Sequence, residues 1–358
     1  MRTSGSRTTA LLAFLLLAAA PALAQEGVRI QGQDIPEETA PAGGDFSILL
    51  DFREEMRKLV QSISSFAKRR RRNFLIIPEN GLDLLIKRDD VDEEKISPAR
   101  TYMRSIDGIL HTGVIYGDPE FGKPPSETRL KELLMFTETA KKNGLKVLLT
   151  DFAKSRGQID GLYRRYAAKG YVPLVSNSLD LNSLPPFPGR PFRESPFSVL
   201  SLKDVRNFLI LLDTSGFGRQ DEFALKMHQN NYDVVIVDIF HGREPLSRQA
   251  VETLKYKKVG ARRLVLAHID IGAAASYRYY WQPRWREGSP LWINAPFRGN
   301  PDSYYVQYWS PEWQRIISGD NQSYIYGAID QGFDGVVLGG LESYRFFEGA
   351  TEDEEGAP

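Results

Sequence analysis

The sequence predicts an α/β fold and, within that class, a (β/α)8 TIM barrel preceded by one amphipathic helix. Three observations carry the prediction. Eight short apolar runs recur along the chain, at residues 73–77, 108–111, 146–150, 171–175, 207–212, 233–238, 264–269 and 335–338. They are continuous rather than alternating, as strands buried on both faces are. Helical patterns at 127–143, 158–169, 222–230, 247–259 and 311–332 lie between them, several closed by a glycine suited to a left-handed final residue: Gly144, Gly170, Gly260 and Gly332. Neither G-x-G-x-x-G nor a Walker pattern occurs. An open doubly wound sheet, which periodicity leaves as the structural alternative, therefore lacks a nucleotide-binding signature.

In chain order, Arg2 and Arg7 precede an apolar run at 10–20 and the stretch Pro21-Ala22-Leu23-Ala24. A positive start, a short apolar segment and an A-x-A site describe a secretory signal peptide, residues 1–24, with export to the periplasm or beyond. The run is shorter than the ~20 residues a membrane span needs, so the mature chain is expected to have no integral membrane segment. Residues 25–44, polar and rich in Pro and Gly, read as a linker. A helix is expected over 45–72, from the three- and four-residue spacing of Phe46, Leu49, Leu50, Met56, Leu59, Val60, Ile63 and Phe66. Its basic end, Lys68 to Arg72, complements the helix dipole, although it could also meet anionic lipid or polysaccharide. The barrel is expected over 73–348, with a disordered acidic tail at 349–358.

Composition narrows the chemistry. The 358 residues carry 46 basic and 46 acidic side chains and no cysteine. Zero net charge argues against nucleic-acid binding, and the missing thiols exclude disulfides, thiolate metal sites and cysteine catalysis. No cofactor is indicated.

In a barrel of this kind, chemistry gathers at the C-terminal ends of the strands. Those ends carry Glu79 and Asn80, His111 and Thr112, Asp151, Asp213, Asp238 and His241, His268 and Asp270, and Gly339, Gly340 and Glu342. Asp238 stands out because it ends the run VVIVD, where an ionised group needs hydrogen bonds or a cation. Asp151 ends KVLLTD in the same way.

Several segments resemble one family. VLLTD (147–151), YDVVIVDIF (232–240), RRLVLAHIDIGAAASYRYYW (262–281), YYVQYWSPEWQRII (304–317) and GFDGVVLGGLESYRFFE (332–348) are similar to glycoside hydrolase family 114. These are extracellular endo-α-1,4-polygalactosaminidase-like barrels, some labelled cysteinyl-tRNA-synthetase-related. The likeness extends upstream through 73–85, 105–118 and 207–213. It implies a barrel acting on galactosamine-rich polysaccharide through paired carboxylates. It also implies that Asp151 and Asp238 match typical family acids, and that Tyr277, Arg278, Tyr279, Tyr280, Trp281, Trp309 and Trp313 match family aromatic motifs.

The departures fall on the acids. The family's S-I-G-E-A-E is Asp270-Ile271-Gly272-Ala273-Ala274-Ala275 here, and its Y-L-D is Val337-Leu338-Gly339. Serines 276 and 310 replace two further acids, and His111-Thr112-Gly113 stands where relatives tend to be acidic. Glycoside cleavage ordinarily needs two carboxylates about 5–10 Å apart.

Four expectations follow. The first is a barrel that binds polysaccharide without cleaving it, through Glu79, Asp151, Glu342, Tyr277, Arg278, Trp281 and Trp309. The second is a glycosidase with relocated acids, Asp238 paired with Asp270 or Glu342. A third is a metal-dependent hydrolase using His111, His241 and His268 with the neighbouring aspartates. The last is a scaffold docking a protein through the helix at 45–72 or the acidic tail.

Overall fold

The computed structural model describes residues 50–89, 92, 95–117, 120–297 and 300–349. The expected signal peptide, the linker, residues 45–49 and all of the tail except Gly349 lie outside the described residues.

Helix α1 spans Phe52–Arg70. Asp51 is in extended backbone and its side chain accepts from Glu54 N–H at 2.9 Å. This N-cap starts the helix seven residues later than the spacing predicts, because the capping residue cannot itself be helical. Met56, Leu59, Val60, Ile63 and Phe66 form its buried stripe. The basic end is partly spent on the fold: Lys68 pairs with Asp107 at 3.0 Å, and Arg71 with Asp334 at 3.0 Å.

All eight expected strands form: β1 Leu75–Pro78, β2 Gly108–Thr112, β3 Lys146–Phe152, β4 Val172–Ser176, β5 Phe208–Leu211, β6 Val234–Asp238, β7 Leu264–Asp270 and β8 Gly335–Gly339. They pair in parallel in two sheets, in the order β1-β8-β7-β6-β5 and β2-β3-β4. A parallel bridge between Glu79 and Leu110 joins the sheets at one side. There Asn80 N–H donates to Leu110 O at 2.9 Å, and the Asn80 side-chain oxygen accepts from Thr112 N–H at 3.1 Å. Asn80 stands in left-handed backbone (φ 60°), which asparagine tolerates better than most residues.

Among the described residues the expected closed ladder does not form. β4 and β5 share no strand pairing, and at that side Leu212 N–H donates instead to Leu181 O at 2.9 Å. The intervening segment, 177–207, contains Pro185, Pro186, Pro188, Pro191 and Pro196, which have no N–H to give a ladder.

The strands bury two distinct faces. Ile77, Leu110, Leu148, Leu174, Ile210, Ile236, Leu266 and Val337, one from each strand, meet in a single apolar cluster with Val199, Leu202 and Val205. The opposite faces, including Ile76, Ile109, Leu149, Val235, Val265 and Val336, pack in a second cluster with the helices.

Helices α2 (Glu127–Lys142), α3 (Arg156–Ala168), α4 (Gln220–His228) and α5 (Arg248–Leu254) fall between strands as expected. The long helix expected at 311–332 is two, α6 Pro311–Ser318 and α7 Tyr324–Gln331. Gly319 ends the first, and Asp320 turns the chain by accepting Gln322 N–H at 2.7 Å. An antiparallel sheet of Ala273–Ala275, Ile293–Phe297 and Asn300–Val306, not expected from the sequence, follows β7. Among the described residues no helix is long and apolar enough to cross a membrane.

At the N-terminal ends of the strands, Lys257 and Asp233 form a fully buried ion pair at 2.6 Å. The lysine also donates to Ser195 O and Phe197 O, at 3.0 and 2.9 Å, tying the irregular segment before β5 to the sheet. Removing one partner leaves an uncompensated buried charge. Lys257→Met is expected to cost ~3–5 kcal/mol in urea denaturation, and Lys257→Met with Asp233→Leu much less. A loss below ~1 kcal/mol in the single variant would show that the pair does not hold this end together.

Candidate functional site

Four strand ends, those of β1, β6, β7 and β8, converge at the C-terminal side. In the parallel register, His268 of β7 stands level with Asp238 of β6 and Val337 of β8, and Asp270 with Gly339. Glu79 follows β1, and its N–H donates to Leu338 O of β8 at 2.8 Å. Residues two apart share a face, so His268 and Asp270 continue the side of β7 that carries Leu266 into the inner cluster. Asp238 likewise continues the side carrying Ile236.

The first polar pair is His268 with Glu79. Nε2 of the ring lies 2.6 Å from Glu79 Oε2, with the side chains 16% and 10% exposed. Burial alone would disfavour the charged ring, but the charges of Glu79, Asp238 and Asp270 outweigh it and raise the His268 pKa above its ordinary value.

The second pair is Asp238 with Arg278. The guanidinium grips both carboxylate oxygens, at 3.1 and 2.5 Å, and Asp238 Oδ1 also accepts Phe240 N–H at 2.8 Å. Arg278 lies over the rings of Phe240 and Tyr277, at 5.0 and 5.1 Å from their centroids. The bidentate cation leaves neither carboxylate oxygen of Asp238 without a charged partner.

Asp270 is exposed. Its Oδ1 accepts from Gly272 and Ala273 N–H, at 2.9 and 3.0 Å. Gly339, which ends β8, and Gly340, which follows it, make room for this arrangement. A Cβ on Gly339 would lie 2.8 Å from Cε1 and Nε2 of His268, and one on Gly340 would lie 2.0 Å from Asp270 Oδ1. The strand-eight position where the resemblance calls for an acid is thus filled from the neighbouring strand by the imidazole.

Other expected residues lie elsewhere. Asp151 is completely buried on the helix-facing side of β3, where it accepts from Ile115 and Tyr116 N–H at 2.9 Å each and from the Tyr166 hydroxyl. Burial pushes its pKa up to about 6 against those bonds. It anchors the loop after β2 and has no surface to offer a ligand. Glu342 sits in a 3-10 turn after β8 and pairs with Arg345 at 2.8 Å.

The histidines expected as metal ligands do not assemble. His111 is buried at the helix layer with neither ring nitrogen bonded, and burial lowers its pKa to about 3. His241 is occupied by the Thr214 hydroxyl at 2.8 Å and Gly218 O at 2.6 Å. Among the described residues no three of His, Asp and Glu gather as a metal site.

The aromatic residues divide. Trp313 is fully buried and donates to Ile271 O at 2.9 Å, while Trp309 packs on Phe52 and Phe347, 5.1 and 4.7 Å between centroids. Trp281 stacks on Tyr304 at 5.2 Å. These three serve packing. Tyr277 and Tyr279, 47% and 53% exposed, flank Arg278; the guanidinium lies over the Tyr277 ring, and the Tyr279 hydroxyl donates to Gln322 O at 3.0 Å.

Sequence reasoning missed both pairings. The partners are 189 and 40 residues apart, and only a glycine at 339, where the resemblance calls for an acid, hints at the first.

No family model matches the chain. It is 27% identical over 128 residues to an uncharacterized protein of Thermotoga maritima, covering 36% of this chain and 38% of the relative. It is 33% identical over 139 residues to one of Methanocaldococcus jannaschii, covering 38% and 36%. A protein of Deinococcus radiodurans, also uncharacterized, matches at 32% over 131 residues, covering 37% and 39%. The matches span less than two fifths of the length of these relatives.

The shared space predicts a coupled response. Gly339→Asp is expected to destabilise the fold by ~1–3 kcal/mol through overpacking against the ring. Adding His268→Ala should recover at least half of that loss. Additive losses in a thermal-unfolding cycle would mean that the two positions do not compete.

Proposed function

We propose that this chain is an exported (β/α)8 barrel of the glycoside hydrolase family 114 type. On this reading its strand-end mouth binds a polysaccharide without the family's carboxylate pair. The barrel reading is supported by the single inner cluster. A sheet face must be buried against something, and the inner faces of all eight strands are covered by one another and by the residues 199–205 beneath them. The two sheets are then arcs of one barrel, bridged at Glu79–Leu110 and left unpaired between β4 and β5.

The observation that carries the binding reading is the Asp238–Arg278 pair beside two half-exposed tyrosine rings. Flat rings next to fixed polar groups suit the apolar faces and hydroxyls of sugars. The same pair weighs against the inherited mechanism, since it neutralises the surviving family acid. Ala273 and Ala275 are buried in the antiparallel sheet, opposite Tyr305 and Ser303, and bring no charge.

The test is titration calorimetry with partially N-acetylated α-1,4-galactosaminoglycan and a panel of neutral polysaccharides. Tyr277→Ala, at unchanged Tm, and Tyr279→Phe, which keeps the ring's packing, are expected to raise Kd by about tenfold and by a few-fold respectively, tenfold being ~1.4 kcal/mol. Trp309→Phe should leave Kd unchanged. If no polysaccharide binds, or if only the packing variant weakens binding, the mouth is not the sugar site.

A further inference from the structure

The N-terminal ends of the strands, opposite the mouth, hold a cavity of about 260 Å³. Arg71 and Asn73 line it from the turn between α1 and β1, Arg262 and Arg263 from just before β7, Asp334 from just before β8, and Leu200 from the irregular segment before β5. Three cations thus meet one carboxylate, and that carboxylate is already compensated. Asp334 pairs with Arg71 at 3.0 Å and with Lys255 at 3.3 Å, and it accepts Val265 N–H at 3.0 Å.

The arginine charges are only partly answered. Arg263 is fully buried, and its guanidinium donates to neutral oxygens alone: Asn230 Oδ1 and the carbonyls of Met227, Asn230 and Tyr256. Its Nε–H has no acceptor among the described residues. Burial lowers its pKa to about 10, and Asp233, whose charge opposes that shift, is already held by Lys257 at 2.6 Å. A buried cation lacking its own counter-charge is costly, and a bound anion offsets that cost. Arg262 is held loosely, at 3.4 Å from the Tyr256 hydroxyl and 3.5 Å from an exposed Glu252. Arg71 donates to Phe333 O and Asp334, and its guanidinium carries further N–H groups.

The rim of the cavity is apolar and basic. Phe197 and Leu200 are each 71% exposed, and Val259, in the turn before Arg262, is also exposed. Their segments are tied to the cavity wall: Arg262 N–H donates to Ser198 Oγ at 3.1 Å, and Val199 N–H to Arg262 O at 2.9 Å. Arg69, Arg70 and Arg72, from the basic run that closes α1, are exposed beside Arg71.

We propose that this end of the molecule docks on an anionic phospholipid surface. The cavity takes one headgroup phosphate between Arg71 and Arg262, and Phe197 and Leu200 enter the boundary of the acyl chains. The proposal does not depend on the reading of the mouth. A guanidinium suits a phosphate because its N–H groups meet two oxygens at once. The apolar side chains favour lipid over a dissolved phosphate or a polyanion, either of which would leave them in water. Docking of this kind needs no helix that crosses the bilayer.

The experiment compares full-length variants by sedimentation with phosphatidylcholine vesicles, with and without phosphatidylglycerol. Any pull of the apolar run at 10–20 on lipid is then common to both vesicle types and to all variants. The wild type should sediment preferentially with the anionic vesicles, and less so as salt is raised. Arg262→Gln should weaken that partition by about fivefold. Phe197→Ser combined with Leu200→Ser should weaken it by about tenfold or more. Arg243→Gln removes the same charge from the loop after β6, at the opposite end, and should leave it unchanged. Thermal unfolding checks that each variant is folded.

Equal sedimentation with the two vesicle types, or none with either, overturns the proposal. So does a loss in Arg243→Gln that matches the loss in Arg262→Gln, or wild-type binding by the variant lacking Phe197 and Leu200. Calorimetric binding of inorganic phosphate that Arg262→Gln abolishes, without sedimentation on anionic vesicles, also overturns it and makes the cavity a site for a dissolved anion.

Discussion

Eight parallel strands each commit at least one apolar side chain to a common cluster, and the rest of the molecule is arranged around that commitment. Such an interior has no polar atoms to offer, so any charge set just beyond its last layer must find a partner at its own level. Glu79 does so with His268, and Asp238 with Arg278, each across an interstrand or loop distance that only the fold supplies. The same rule operates at the opposite ends of the strands. There, Lys257 and Asp233 are wholly enclosed, and the lysine's remaining hydrogens go to two backbone carbonyls.

The two pairs at the strand ends have different consequences. The Asp238–Arg278 clamp uses up a carboxylate: both oxygens are engaged by the guanidinium and one also by a backbone N–H. The His268–Glu79 pair occupies one ring nitrogen only. The clamp thus leaves no free carboxylate oxygen, whereas the histidine keeps a second nitrogen on a ring already held in place.

Much of the fold was legible in the sequence because strands buried on both faces leave unbroken apolar runs, and all eight runs became strands. Asp238 was legible for the same reason, as the charge ending VVIVD. Asp151 was misplaced by neglect of strand parity: Leu148 faces the inner cluster, so residue 151 faces the helices. Trp309 and Trp313 were drawn toward a binding role by their motif, yet their rings pack against α1 and beneath Ile271. The break in the helix at 311–332 was written in Gly319-Asp320, a local turn signal that the surrounding apolar periodicity obscured. The antiparallel sheet after β7 left little trace, since Ala273–Ala275 has no strand propensity of its own and is held by pairing with Asn300–Val306. Neither polar pairing was legible, because nothing local links residue 79 to 268 or 238 to 278.

The space shared by Gly339 and His268 also bears on how such a molecule changes over generations. An acid at 339 and an imidazole at 268 are each compatible with a β8–β7 ladder, but not with one another at the separations seen here. A lineage passing between the two states meets an intermediate that is either overfilled or hollow. The order of substitutions is then constrained: the bulk must leave before its replacement arrives. The glycine is the form of that position which the ring permits, and any single substitution adding a side chain there would meet the imidazole.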